Sequence, residues 1–136
     1  MRYFIDTSAL IALADRSDQY HASATDFFRE EIDPSDQIYT SNYVLDETIT
    51  RLRVSAGYHT AEKFAEFIYS SKTHQIQAVD REIEREALRF FKQYHDHEFS
   101  FTDCTTLVFL HRLAIPQLFA YDRVFQNVGC SLVPGF

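Results

Sequence analysis

Short apolar runs alternate with longer helical patterns along this chain, and that alternation constrains the fold more than any other feature of the sequence. Strand-like runs stand at 2–6, 37–41 (QIYTS), 75–79 (QIQAV) and 117–121 (QLFAY), with a short last one at 131–133 (SLV). Between them lie stretches with helical spacing. One begins near Ser8, and HASATDFFREEI puts Ala24, Phe27, Phe28 and Ile32 roughly on one face. NYVLDETITRLRVSA follows the second run and stops at Gly57, a fitting C′ glycine. Thr60 is placed to cap TAEKFAEFIYSS, REIEREALRFFKQYHD covers 81–96, and a further helix opens at Thr102-Asp103. Strands alternating with helices pair in parallel through right-handed crossovers. The expected fold is therefore α/β, a three-layer α/β/α sandwich around a central parallel sheet of four to five strands.

Punctuation is sparse, with three glycines and three prolines, and Asp33-Pro34-Ser35-Asp36 reads as a turn between elements rather than a linker. A length of 136 residues with 46% hydrophobic content suits one domain over residues 1–136 with a single core. Cys104 and Cys130 have neither C-x-x-C nor zinc spacing and read as reduced core thiols. No stretch is apolar enough to span a bilayer, and the strand starting at residue 2 leaves no room for a signal peptide. The expectation is a soluble, cytoplasmic protein without a membrane partner.

The formal net charge of -7 argues against a simple basic groove for nucleic acid. That deficit falls if several carboxylates form one site that carries cations. Ligand sites of open α/β sheets form outside the carboxyl ends of the strands, where strand order reverses. Acids stand at those ends: Asp6 after the first strand, Asp80 after the third and Asp122 after the fourth. Asp103 opens the helix before the fourth strand, and Glu47 lies one or two turns into the helix after the second. If the first and fourth strands are neighbours, Asp6 and Asp122 lie side by side, with Glu47 and Asp103 around the same crevice.

Asp6, Asp103 and Asp122 also suit a helix start, where Asp caps and favours the dipole, and Glu47 alone would read as a helix-face glutamate. Asp80 is read as a cap alone. Four carboxylates in one crevice exceed what capping explains, because two of them about 4 Å apart repel by roughly 4 kcal/mol at an effective dielectric near 20. They must take up protons or hold a cation. An all-oxygen donor set suits Mg²⁺ or Mn²⁺ rather than zinc, and such ions serve phosphoryl chemistry. Ser8 and Thr7 are candidates for supporting the first ligand. The doublet Asp46-Glu47 offers two acids; helical spacing puts Tyr43, Glu47 and Ile49-Thr50 nearer the inward side, so Glu47 is preferred and Asp46 is the alternative.

FIDTSAL, YVLDETITRL, FSFTDCTTL and LFAYDRVFQNVG, in this order over essentially the whole chain, resemble the PIN domain, with the closest likeness to VapC-type toxins of prokaryotic toxin–antitoxin systems. The resemblance implies an Mg²⁺- or Mn²⁺-dependent endoribonuclease. It implies that Asp6, Glu47, Asp103 and Asp122 are the metal-binding and catalytic acids, with Ser8 as the small hydroxyl residue beside the first. It further implies a homodimer inhibited by a small antitoxin protein. RNA needs cationic contacts, and ten of the 13 basic residues are arginine, which suits bidentate phosphate contact. Arg51, which with Arg53 follows Glu47, and Arg123, which follows Asp122, are the candidate substrate contacts; Arg112 ends the Asp103 helix.

Other chemistries fit less well. His95-Asp96-His97 has a metal-like look but falls at a helix end, where histidine suits the dipole. There is no H-E-x-x-H, no G-x-S-x-G and no glycine-rich phosphate loop. A receiver module built on Asp80 needs a late lysine, yet the lysines are Lys63, Lys72 and Lys92 only. A haloacid-dehalogenase-type phosphatase needs an Asp where Ser8 stands. The remaining alternative is a catalytically idle PIN-like scaffold that binds RNA or a protein partner.

Overall fold

The computed structural model of the chain describes residues 1–135. Five parallel strands form one sheet: β1 (Arg2–Ile5), β2 (Gln37–Ser41), β3 (His74–Gln77), β4 (Gln117–Phe119) and β5 (Leu132–Val133), in the order β3-β2-β1-β4-β5. Six α-helices connect them among the described residues: α1 (Thr7–Ala14), α2 (His21–Glu30), α3 (Asn42–Ala56), α4 (Tyr58–Ser70), α5 (Arg81–Gln93) and α6 (Phe101–Arg112).

The strand order explains the layers. The chain steps outward from β1 to β2 to β3, then returns to the other side of β1 for β4. Right-handed crossovers put connections of opposite direction on opposite faces. Helices α1 to α4 accordingly pack as a series on one face, and α5 packs on α6 on the other. The pleat of β1 serves both layers: Tyr3 meets Phe27 of α2 edge-on, while the next residue, Phe4, stacks on Phe109 of α6. Phe4, Ile5, Leu118 and Phe119 are fully buried between the layers. Truncating a ring such as Phe4 to Ala would cost about 3–5 kcal/mol.

Helix α6 is the central one, with residues 103 to 109 buried on all sides. This arrangement carries Asp103 inside with its helix. The chain reversal makes β1 the switch point, and the gap between the carboxyl ends of β1 and β4 is the crevice that the strand order defines.

The sequence-based boundaries shift in a few places. Gly57 ends α3 and also precedes α4, in a left-handed conformation (φ 95°) that glycine adopts without a Cβ penalty. Helix α4 therefore starts at Tyr58, and Thr60 sits inside its first turn instead of capping it. Strand β3 stops at Gln77, so Asp80 lies beyond the strand and caps α5, accepting from the Ile83 amide at 3.0 Å. Strand β4 stops at Phe119, and helix α5 stops at Gln93.

Candidate active site

Asp6 is the first residue past β1 and the N-cap of α1. Its amide continues the ladder to Phe119 of β4, and its carbonyl accepts from Ala9 and Leu10. Its side chain makes no capping bond. Instead the carboxylate is buried at 3% exposure, with Oδ1 lacking any hydrogen-bond partner and Oδ2 accepting from Ser8 Oγ at 3.4 Å. An orphaned buried carboxylate oxygen costs more than a cap returns. Ser8 Oγ in turn accepts from the Tyr121 amide at 2.9 Å, which ties the start of α1 to the chain leaving β4.

Asp103 approaches from α6. Ser100 caps that helix, accepting from the Asp103 amide, and the Asp103 carboxylate accepts from the Ser100 amide at 2.9 Å. One carboxylate oxygen suffices for the reciprocal capping box, so capping does not occupy the whole carboxylate. Asp122 follows β4, remains exposed and accepts from the Val124 amide at the start of the 3-10 helix Arg123–Val128.

The choice between Asp46 and Glu47 is a matter of helix face. Ser41 caps α3, whose buried residues are Val44, Leu45, Thr48 and Leu52. Glu47 flanks that stripe half-buried, whereas Asp46 faces solvent, as does Thr50. Glu47, with Asp103 and Asp122, acts on Asp6 through its charge.

The electrostatic result is a strained pair. Burial first, then the charge of Asp103, pushes the Asp6 carboxyl up to about 7; the Thr7 amide partly opposes this, and Glu47 and Asp122 add to it. Burial also raises Asp103, to about 6, against the hydrogen bonds from Ser100 and with the charges of Asp122 and Glu47. Among the described residues, no three His, Cys, Asp or Glu groups are drawn close enough to hold one ion between them. The donor set nonetheless fits a hard divalent cation: every candidate ligand is a carboxylate oxygen, and one buried oxygen of Asp6 is without a partner.

Other expected residues fall to either side of this centre. Thr7 Oγ1 points away and donates to the Val44 carbonyl, locking α1 to α3, so it does not support the acid. Arg51 and Arg123 are exposed and line one cleft of about 450 Å³ together with Ser8, Tyr20, Tyr121 and Asp122. Arg53 is elsewhere, over the Tyr58 ring at 5.2 Å. Arg112 is committed to Glu82 and Glu86 on α5. Nothing in the sequence pattern points to Tyr20, which stacks on Tyr121 with centroids 4.4 Å apart; a tyrosine in a polar turn has no periodic signature. Cys104 and Cys130 are free, the first buried.

The parallel α/β sheet thus carries a buried carboxylate, Asp6, at its switch point, with the charge of a second buried acid, Asp103, acting on it. The model of the PIN domain family matches residues 3–129, and the chain belongs to that family. Nucleases of this family generally use divalent metal ions. The chain is 29% identical over 126 residues to the 23S rRNA-specific endonuclease VapC20 of Mycobacterium tuberculosis, covering 93% of each. Its fold superposes on the crystal structure of that toxin, described as sarcin-ricin loop cleaving, with a TM-score of 0.87 at 28% identity, over 94% of this chain and 95% of the other. It is also 29% identical over 128 residues to a VapC ribonuclease of Archaeoglobus fulgidus, covering 93% of this chain and 80% of that one. VapBC2 from Rickettsia felis, solved with a DNA fragment of its promoter, matches with a TM-score of 0.67 at 12% identity, over 97% of each chain; that likeness concerns the fold.

Proposed function

We propose that this protein is an endoribonuclease that hydrolyses RNA phosphodiester bonds with Mg²⁺ or Mn²⁺, and that it acts as the toxin of a type II toxin–antitoxin pair. The observation that carries the reading is the buried Asp6 carboxylate, whose Oδ1 has no hydrogen-bond partner and on which the charge of Asp103 acts. Asp6, Glu47, Asp103 and Asp122 would hold the cation, which supplies an activated water and neutralises charge on the phosphoryl group. Ser8 orients Asp6 through the bond to Oδ2 and fixes the β4 exit through the Tyr121 amide. Arg51 and Arg123 steer the phosphate backbone toward Asp122 along their shared cleft. The likeness to VapC20 and to the A. fulgidus ribonuclease supports the substrate class. A cognate antitoxin and a homodimer complete the proposal.

The test is cleavage of a mixed RNA pool with Mg²⁺, beside Asp6→Asn purified in the same way. The reading expects cutting by the wild type, none after chelation, and a loss on the order of 10³-fold or more in the variant. Equal cutting by both proteins would contradict it. Failure of the folded wild type to cut any RNA would favour the idle scaffold instead.

A further inference from the structure

A second cleft adjoins the first. It is about 600 Å³ and shares Asp122 and Arg123 with the Arg51 cleft. Its other walls come from the turn after α5, with Asp96, His97 and Glu98, and from the 3-10 helix, with Gln126 and Asn127. A scissile phosphate held at Asp122 has a nucleotide on each side, and the two clefts that meet at Asp122 offer room for both.

The lining decides what the second side can take. Three carboxylates, Asp96, Glu98 and Asp122, face one guanidinium, Arg123, so a phosphate would meet net repulsion. Carboxylates accept hydrogen bonds, and the amides of Gln126 and Asn127 both donate and accept. That inventory matches a neutral group rich in donors: ribose hydroxyls and a base with an exocyclic amino group.

His97 is built into this wall. Its Nδ1 bonds the Asp96 carboxylate at 3.0 Å, and its ring lies edge-on to Tyr94 and stacks on Phe99, at 5.6 and 6.0 Å between centroids. An ionised carboxylate only accepts, so Nδ1 carries the proton and Nε2 is left for a ligand. The Asp96-His97 pair, a helix-end feature in the sequence, thus orients an imidazole in the wall of the cleft that Asp122 also lines.

Resting on the ribonuclease reading, we propose that this cleft is a specificity subsite that holds one amino-bearing nucleoside of single-stranded RNA next to the scissile bond, with His97, Gln126 and Asn127 reading it. Two measurements test it together. In the first, cleavage-site preferences on a randomised single-stranded RNA pool are compared for wild type, His97→Ala and the surface variant Asn127→Ala. Preference at one position adjoining the cut is expected to flatten in both, with about tenfold lower kcat/KM on the favoured sequence and unchanged preference elsewhere. In the second, amide shifts at Asn127 are followed in Asp6→Asn as short RNAs or inorganic phosphate are added. Shifts with amino-bearing RNAs and not with phosphate are expected. Normal cutting with unaltered preferences in both variants would overturn the subsite and leave the nuclease. RNA-dependent shifts together with a folded wild type that cuts no RNA would uphold the subsite and remove the hydrolysis. Equal shifts with phosphate would overturn the nucleoside assignment.

Discussion

Carboxylates at the switch point and carboxylates on the outer face of α5 obey the same electrostatics with opposite results. On α5, Glu82 and Glu86 meet Arg112 at 3.0 and 2.6 Å, and the Arg112 bond holds Glu86 below its ordinary range. At the switch point, Asp6 and Asp103 are buried among other acids and are pushed up to about 7 and about 6. The first arrangement is complete and does little more than decorate a solvated surface. The second is incomplete within the chain itself, and it is the one the fold places where three crossovers converge. A buried charge left without a partner is costly, so its persistence points to an external partner.

The contrast can be broken most forcefully at Asp6. Asp6→Asn should lose activity on the order of 10³-fold and, without divalent ions above neutral pH, should melt at a higher temperature than wild type. A variant that loses both activity and stability would mean that Asp6 is needed for the fold.

The pH dependence of the metal-free protein is the next largest effect. The folded values of Asp6 and Asp103 lie above the unfolded value of 3.8. The native state therefore binds more protons than the unfolded state between pH 3.8 and about 7. Their contribution to stability is full below 3.8 and is lost as pH rises through about 6 and about 7. For Asp6 the change is on the order of 4 kcal/mol over the titration. Urea melts across this range should show the fall without Mg²⁺ and a smaller one with it, since an ion that binds only the native state stabilises it. A flat profile without Mg²⁺ would remove the electrostatic strain from the account.

Asp103 separates its two roles on a smaller scale. Asp103→Asn keeps an acceptor for the Ser100 amide and removes charge, so metal-free stability should hold or rise. Asp103→Ala loses the capping bond and should cost about 1 kcal/mol. Equal losses in both variants would make the cap bond irrelevant. Arg123→Ala should weaken RNA binding and reduce the slope of log K against log salt by about 1. Arg112→Ala, with Glu82 exposed and Glu86 half-buried, should change thermal stability least of all, and less still in high salt.

Much of this was legible in the chain. Alternating strand and helix patterns give the parallel three-layer fold, and β1 and β4 are neighbours, so Asp6 and Asp122 follow adjacent strands. What the pattern could not convey is side-chain direction. Thr7 and Ser8 are adjacent small hydroxyls, yet one bonds the Val44 carbonyl and the other Asp6, because successive residues on a helix point about 100° apart. Asp103 could be read as cap or ligand, and geometry allows both at once. Tyr20 escaped because its partner, Tyr121, comes from a distant part of the chain, and His97 reads in the sequence only as a helix-end residue because the other wall of the cleft it lines is distant in sequence.

The most direct test is a carboxyl-carbon NMR titration of Asp6 and Asp103 in the intact protein, with and without Mg²⁺ or Mg²⁺ replaced by a diamagnetic hard divalent ion. Midpoints near 7 and 6 without the ion, falling well below when it is added, are the predicted outcome. Midpoints in the ordinary carboxylate range, indifferent to the ion, would contradict the claim that this fold gathers acids for a cation to complete.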